Sequence, residues 1–375
     1  MNIGLNAHLL SNRAGYRSAG IHGYIYNTLA ALPGVINDEN VHLTAMVGAN
    51  NPLTLDGVTV QHAFTDTQRP SRRVLWEQLA QPWSLSRYDL YHAMAFVAPA
   101  LPYSPPTVVT VYDLSFIHYP NVLPAARRAY LRTFTAHTAR KAARVIAISE
   151  STARDVVEQF GVAPAQVDVA VPGVDTEQFR PLPEAEVRAF REKHDLPDVF
   201  WLFVGTLEPR KNLPTLLRAY AQLPRNARPP LVLAGGKGWD YEPVFDTISA
   251  CGLADDVHLP GFVPAEDLPL WYNSATVFVY PSVFEGFGIP PLEAMACGTP
   301  VIVSNASSLP EVVAGTLGLL VPPDDVDAWT AALTQALDDS AWRTEASETG
   351  RAAAQRFTWT ATAERTWASY QQALG

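Results

Sequence analysis

The stretch VFVYPSVFEGFGIPPLEAMACGTPVIVS, residues 277–304, decides how the chain is read. An apolar, β-rich run ends at Tyr280, a turn carries Glu285, Gly286, Phe287 and Gly288, and Pro290 and Pro291 open a helical run that contains Glu293. Proline suits a first helical turn, because its missing N–H would lack a partner there in any case. Two glycines let backbone N–H groups come close to a ligand, and the helix start adds positive dipole, so the loop suits a phosphate. Glu285 stands before the helix and Glu293 inside it, so both can line one pocket. In isolation such a loop reads equally as a glycine-rich helix start with two solvated glutamates; its length and its place after a strand favour the ligand.

Two loops nearer the N-terminus repeat the arrangement. In WLFVGTLEPRKNLPTLLRAY (201–220) a strand ends at Gly205, and Arg210 and Lys211 precede Asn212, which is expected to cap a helix bearing Leu213, Leu216, Leu217 and Tyr220. Adjacent cations in a strand-to-helix loop match the charge of a diphosphate, although a basic pair is usually just solvated. The chain has only four lysines, and this is one of two Arg-Lys pairs. In LVLAGGKGW (231–239), Gly235, Gly236 and another of those lysines, Lys237, again follow a strand. Neither G-x-x-x-x-G-K-[ST] nor a strand-following G-x-G-x-x-G is present, which argues against ATPase and dinucleotide-binding readings.

Outward from these loops, β-rich runs alternate with helical patterns, the signature of βαβ units and parallel sheets. Strands are expected at 2–6, 41–47, 107–112, 145–148 and 167–171, and then at 200–204, 231–234, 257–259, 277–280 and 301–303. Helices are expected at 21–32, 124–143 and 150–160, with Ala-rich helical stretches over 326–372. PGVDTEQFRPLP (172–183) interrupts the series with prolines and a glycine, as an interdomain linker would. In such sheets ligands bind beyond the carboxyl ends of the strands, where the three loops lie.

Composition sets the limits. The 375 residues suit two to three domains at ~150 residues each, and 48% apolar with 17% charged residues is a globular balance. The net charge of −10 has the wrong sign for coating nucleic acid. It is uneven: residues 1–180 hold 14 basic and 13 acidic side chains, and the remainder 13 and 24. Two cysteines are too few for a disulfide framework, the start MNIGLNAHLL lacks a basic region before an apolar stretch, and no apolar run could span a bilayer. A cytoplasmic location is expected, with any membrane contact peripheral and on the inner face.

Taken together, EPRKN (208–212), GGKGW (235–239), LPGFV (259–263) and EGFGIPPLE (285–293) resemble the donor half of the retaining glycosyltransferases of family 4, in the GT-B superfamily. RVLWEQ (73–78), VYDLSFIHYP (111–120) and RVIAISESTARDV (144–156) extend the resemblance over nearly the whole chain. It implies an α/β fold of two Rossmann-like domains with parallel sheets facing a central cleft: an acceptor domain over 1–172, a linker over 173–183, a nucleotide-sugar domain over 184–357, and a helix over 358–375 returning to the first domain. It also implies roles. Arg210 and Lys211 would hold the diphosphate and stabilise it as leaving group, aided by backbone N–H groups of Gly286, Phe287, Gly288 and Ile289. Glu293 would accept from the ribose hydroxyls, Glu285 would bind the donor sugar, and Phe262 and Val263 would line the base pocket. Gly205, Gly235 and Lys237 would belong to the donor loops, and Gly20, in SAGIHG (18–23), would approach the diphosphate from the other domain. The motif expected to read T-x-H-D is Thr110-Val111-Tyr112-Asp113 here, so Tyr112 stands where a catalytic histidine is expected, followed by Asp113. His118 is a lone histidine near that position.

No metal or other cofactor is expected. The one D-x-D pattern, Asp325 to Asp327, follows Pro322 and Pro323 and reads as a helix cap. Residues 114–149 contain no acid but six basic residues, Arg127, Arg128, Arg132, Arg140, Lys141 and Arg144, with Tyr130, Leu131 and Phe134 among them. That pattern fits either a solvated helix face over 124–144 or contact with an anionic membrane. The activity implied is retaining, metal-independent hexosyl transfer from a nucleotide diphosphate sugar to a glycan or lipid-linked acceptor in polysaccharide synthesis. GDP-mannose is the leading donor, because RVLWEQ and VGTLEPRKN resemble mannosyl-type members. Tyr112 keeps open a sugar-nucleotide-binding protein with little transfer, and a GT-B epimerase or phosphorylase is the enzymatic alternative.

Overall fold

The computed structural model describes residues 1–10, 20–120 and 123–375, in two compact units: Met1–Gly173 with Thr358–Gly375, and Val174–Phe357. The first two residues of SAGIHG lie outside the described residues.

In the first unit the described strands are β1 (Asn2–Asn6), β2 (His42–Val47), β3 (Val58–His62), β4 (Leu90–Ala93), β5 (Thr107–Val111), β6 (Arg144–Ala147) and β7 (Val167–Val169). They form one all-parallel sheet in the order β3-β2-β1-β4-β5-β6-β7. Every residue of β4 and β5 is buried, as strands covered by helices on both faces require. β4 includes His92, whose Nδ1 lies 2.6 Å from the Tyr370 hydroxyl and whose Nε2 lies 2.8 Å from Thr110 Oγ1. Burial lowers the His92 pKa to about 3, so the ring is neutral and acts as a polar rivet.

Tyr370 belongs to the helix Trp359–Leu374, which returns to this sheet and packs on the helix Gly20–Val35. Thr362 Oγ1 donates to Val171 O at 2.6 Å, Tyr24 OH donates to Ala170 O at 2.9 Å, and Ser369 donates to Asp168. Tyr24 also meets Trp359 edge-on, with ring centroids 5.9 Å apart.

The second unit repeats the plan with β8 (Trp201–Val204), β9 (Leu231–Ala234), β10 (Val257–Gly261), β11 (Val277–Tyr280), β12 (Val301–Ser304) and β13 (Leu319–Val321). Their order is β10-β9-β8-β11-β12-β13, again all parallel. Here the order reverses between β8 and β11, and the two loops that follow those strands open side by side. The proline-rich run after residue 173 is packed onto this unit rather than loose: Phe179 is buried against Tyr272, and Leu182 N donates to Asn273 Oδ1 at 2.9 Å.

Three strands, β3, β4 and β13, have no counterpart among the expected ones. Nor does the helical segment 70–87, made of an α-helical turn and a half at Pro70–Leu75, a π-helical turn at Trp76–Ala80 and a 3-10 stretch at Gln81–Arg87.

Gly173 sits against the returning chain: a Cβ there would stand 2.3 Å from Trp359 N and 2.5 Å from the Thr358 carbonyl carbon. Both are backbone atoms that cannot swing aside, so Gly173→Ala should destabilise the first unit by about 1–3 kcal/mol. Chemical denaturation monitored by circular dichroism checks this, and an unchanged midpoint would refute the close approach.

Candidate functional site

The site is built at the carboxyl ends of β8 and β11. Beyond β8, Pro209–Lys211 makes one 3-10 turn that presents Arg210 and Lys211 on consecutive residues. Beyond β11, the chain turns through Pro281 to Phe284 and delivers Glu285 to the same place. Lys211 Nζ lies 2.6 Å from Glu285 Oε1 and 2.6 Å from the Tyr280 hydroxyl, with the ammonium 4.8 Å from the centre of the Tyr280 ring. Arg210 Nη1 donates to Glu285 Oε2 and to Phe284 O, each at 2.7 Å, while its Nε and Nη2 donate to Glu208 Oε1 at 3.1 and 2.7 Å. Val283 N donates to Arg210 O at 3.0 Å, so the two loops are joined through their backbones as well.

These charges are far from water: Lys211 is 6% exposed and Glu285 9%. Burial pushes the Glu285 carboxyl up, but Arg210 and Lys211 together outweigh it and hold the pKa at about 2. Burial likewise lowers the Lys211 pKa, against the opposing pull of Glu285. An ionised carboxylate clamped between two cations is thus the resting arrangement.

After Glu285, the loop passes Gly286 and Phe287 to Gly288, where φ is +121°. A Cβ at Gly288 would also lie 2.8 Å from Leu309 Cδ2, so glycine is required for both conformation and space. The helix Ile289–Ala296 then begins with prolines in its first turn, as expected. The loop's carbonyls are held from outside: Ser307 and Ser308 hydroxyls donate to Glu285 O at 2.7 and 2.9 Å, and Ser308 Oγ also reaches Phe287 O at 2.6 Å. These bonds fix the orientation of the Glu285 and Phe287 peptide groups ahead of the helix. The Phe287 ring is buried against Phe357, so only its backbone can serve the site. Glu293, inside the helix, is partly buried and accepts a 2.8 Å hydrogen bond from Tyr272 OH; burial raises its pKa to about 7.

The loop after β9 supports this centre through its backbone. Leu207 N donates to Gly236 O, Gly238 N to Leu207 O, and Gly235 N to Gly261 O, at 2.8–2.9 Å. A Cβ at Gly235 would stand 1.9 Å from Gly205 O, so these two glycines allow the loops beyond β8 and β9 to touch. Lys237, however, is exposed, and its ammonium lies 4.9 and 5.0 Å from the ring centres of Tyr241 and Phe245, on the helix Glu242–Ala250 and its N-cap. It is held as a cation over aromatic faces and shares no hydrogen bond or ion pair with Arg210, Lys211 or Glu285 among the described residues. Phe262 is 55% exposed and Val263 partly so, both just beyond β10.

Two expectations need correction. Asn212 does not cap the following helix with its side chain: the residue adopts a left-handed conformation (φ 51°), its Oδ1 accepts from Thr215 Oγ1 at 2.8 Å and its Nδ2 donates to Pro323 O at 2.7 Å. Tyr112 is not positioned as a catalytic group. It is 3% exposed, donates its hydroxyl to Met94 O at 2.7 Å, and packs against Tyr24 and Phe96. Burial keeps its phenol well above the ordinary pKa.

Its neighbour Asp113 accepts from Ser115 N at 2.8 Å and opens the short turn Ser115–His118, and His118 Nε2 lies 3.0 Å from Asp155 Oδ2. Gly20 opens the helix Gly20–Val35, with nothing within 4 Å of where a Cβ would stand. Asp325 Oδ1 accepts from Ala328 N at 2.9 Å, the helix-capping role expected of it. Among the described residues no group of three or more His, Cys, Asp or Glu side chains is placed to hold a metal ion. Sequence reasoning missed Glu208, Tyr280, Ser307 and Ser308; the Asn-Ala-Ser-Ser run after β12 was the one available signal for the last two.

Comparison with known proteins agrees with this architecture. The family described as "Glycosyl transferases group 1" matches residues 186–353, and "Glycosyltransferase Family 4" matches residues 24–178. The chain is 36% identical over 284 residues to the O-antigen chain mannosyltransferase B of Escherichia coli, a match covering 74% of each chain. It is 34% identical over 229 residues to the serotype-specific mannosyltransferase WbdA of Escherichia coli, covering 60% of this chain but only 28% of that longer one. Among solved structures, sucrose-phosphate synthase from Thermosynechococcus elongatus superposes with a TM-score of 0.78 at 24% identity, over 99% of this chain and 98% of the other, a likeness of fold. Two parallel α/β units of the GT-B kind, both family matches and a mannosyltransferase relative matched over most of its length place the chain in glycosyltransferase family 4.

Proposed function

We propose that this chain transfers a hexose from a nucleotide diphosphate sugar to a glycan or lipid-linked acceptor in polysaccharide synthesis, with retention and without a metal ion. The single observation that carries the reading is the meeting of Arg210 and Lys211 with Glu285 beside the N-terminus of the Gly288-capped helix. The mannosyltransferase relatives support mannose, and GDP-mannose is the leading donor. In this reading Arg210 and Lys211 hold the diphosphate, with backbone N–H groups of residues 286–289, and Glu293 accepts from the ribose hydroxyls. Glu285 orients the cations and meets the donor sugar's hydroxyls; Phe262 and Val263 flank the base. Lys237 lies at the rim of the second unit's loops.

The chemistry is a displacement on one face of the sugar. The anomeric C–O bond to the diphosphate breaks, the acceptor oxygen bonds to the same carbon, and its proton passes to the departing phosphate, whose charge Arg210 and Lys211 bear. Tyr112 has no part in it. The protein acts at the inner face of the cytoplasmic membrane, with the basic helix Ala125–Lys141 near the lipid; no helix among the described residues is long and apolar enough to cross one.

The test is turnover with a donor panel. GDP-mannose plus acceptor should release GDP and yield an α-linked product. Binding without turnover would instead support a sugar-nucleotide-binding protein, and an isomerised donor an epimerase. Lys211→Ala should weaken GDP binding by about 1.5–3 kcal/mol and cut kcat by roughly 10²–10³. Because it strands Glu285, Lys211→Ala/Glu285→Gln should recover thermal stability but not turnover, and full activity in either variant would refute the leaving-group role.

Glu293 supplies a pH dependence. Its folded pKa of about 7 exceeds the ordinary 4.5, so the fold favours the protonated form and loses stability as pH rises from about 5 through 7. Relative to Glu293→Gln, the native chain should therefore lose on the order of 2 kcal/mol of unfolding free energy between pH 5 and pH 8. GDP, donating ribose hydroxyls to the ionised carboxylate, should bind more tightly across the same rise, and Glu293→Gln should flatten that profile. A pH-independent affinity in the native chain would separate Glu293 from the ribose.

A further inference from the structure

The segment following β3 is built inside out. Along 70–87 the buried side chains include Glu77, Gln81 and Leu85, four residues apart, while Leu75, Leu79 and Trp83, also four apart, are 59%, 58% and 83% exposed. Residues at that spacing share one helical face, and a helix facing water ordinarily shows the reverse polarity. The orientation is imposed by the interior: Asn6 Nδ2 donates to Glu77 Oε1 at 3.2 Å, and Gln81 Nε2 reaches Met46 Sδ at 3.4 Å. Phe64, 85% exposed, stands edge-on to Trp76 with ring centroids 4.4 Å apart and widens the apolar ridge.

The charge around this ridge has one sign. Between Asp66 and Asp89 the only acid is the buried Glu77, against Arg69, Arg72, Arg73 and Arg87, of which Arg69, Arg72 and Arg87 are exposed. A second copy docking by two-fold symmetry would set one arginine rim against another. An anionic bilayer offers what the ridge lacks, apolar depth beneath a negative surface. The basic helix Ala125–Lys141 adjoins it: Gln78 Nε2 donates to Ala98 O at 3.3 Å, Ala98 N donates to Thr138 Oγ1 at 3.0 Å, and the charges of Glu77 and Arg73 act on the Tyr130 phenol.

We propose that the ridge of Leu75, Leu79 and Trp83, edged by Arg69, Arg72 and Arg87, inserts into the interfacial layer of an anionic bilayer, with the basic helix beside it adding charge. The ridge thus gives the lipid contact an apolar anchor that the basic helix alone does not supply. Its test needs neither donor nor acceptor, so it stands or falls apart from the transfer reaction.

The full chain is floated with phosphatidylcholine vesicles and with equimolar phosphatidylcholine and phosphatidylglycerol vesicles, at low and high salt. The native chain should float with the anionic vesicles only, and less at high salt. Leu75→Ser/Leu79→Ser/Trp83→Ser should reduce the bound fraction roughly tenfold or more while GDP binding and the melting temperature hold. Arg69→Gln/Arg72→Gln/Arg87→Gln should remove most of the salt-sensitive part. Should the serine variant misfold, brominated lipid should quench native tryptophan fluorescence more than that of Trp83→Phe. Failure of the native chain to float with anionic vesicles would overturn the proposal, as would undiminished flotation of the folded serine variant or equal quenching of Trp83→Phe. A native dimer that the serine variant makes monomeric would place a second copy on the ridge instead.

Discussion

The second unit depends on one buried carboxylate. Glu285 is ionised in a place where an unpaired charge would be prohibitive, and it is tolerated because Lys211 and Arg210 close on its two oxygens. The pairing joins two loops that are 74 residues apart in sequence, each issuing from one side of the point where the strand order reverses. Removing one partner from a buried pair costs about 3–5 kcal/mol, most of it from the charge left behind. The position of the Gly288 turn, and with it the N-terminus of the helix Ile289–Ala296, follows from where Glu285 is pinned.

The same constraint explains why the loops beyond β8, β9 and β11 are legible in sequence while their wiring is not. Gly205, Gly235 and Gly288 occupy conformations or contacts that no side chain fits, so they stand out as glycines following apolar runs. Arg210, Lys211 and Glu285 stand out because basic pairs and strand-following glutamates are scarce here. That Glu208 and Tyr280 complete the cluster depends on the parallel pairing of β8 with β11, which no local pattern encodes. Ordinary side chains in ordinary spacing carry no signal of the partner they will meet.

The missed elements have similar causes. β4 is wholly buried, but it reads Leu-Tyr-His-Ala, and a histidine conceals a core strand unless its partners Thr110 and Tyr370 are known. β3 and β13 lie at sheet edges, half exposed and without a continuous apolar run. Segment 70–87 defeats periodicity because its polarity is inverted, so its apolar stripe points to the wrong neighbour. Tyr112 shows the opposite case: its motif position suggests a chemical role, whereas its packing between Tyr24 and Phe96 is set by tertiary structure that the motif does not encode.

Charge counting within the site leads one step further. Arg210 and Lys211 are balanced by Glu208 and Glu285, so the cluster is formally neutral at rest and its cations are already engaged. The proposed diphosphate could not simply add to a waiting positive spot; it would have to take over hydrogen bonds that Arg210 now gives to carboxylates. Of the two carboxylates, Glu208 holds Arg210 alone, whereas Glu285 is shared with buried Lys211 and is the harder to displace. Exchange of Glu208 for phosphate would leave Arg210 bridging phosphate and Glu285 and turn the cluster net positive without exposing a buried charge. The neutral resting state also fits a unit that carries most of the chain's excess acid, because charges satisfied internally do not draw in arbitrary anions. In the proposed reading, selectivity for the diphosphate would come from backbone N–H groups at the helix start, which reward an anion only of the right shape and place.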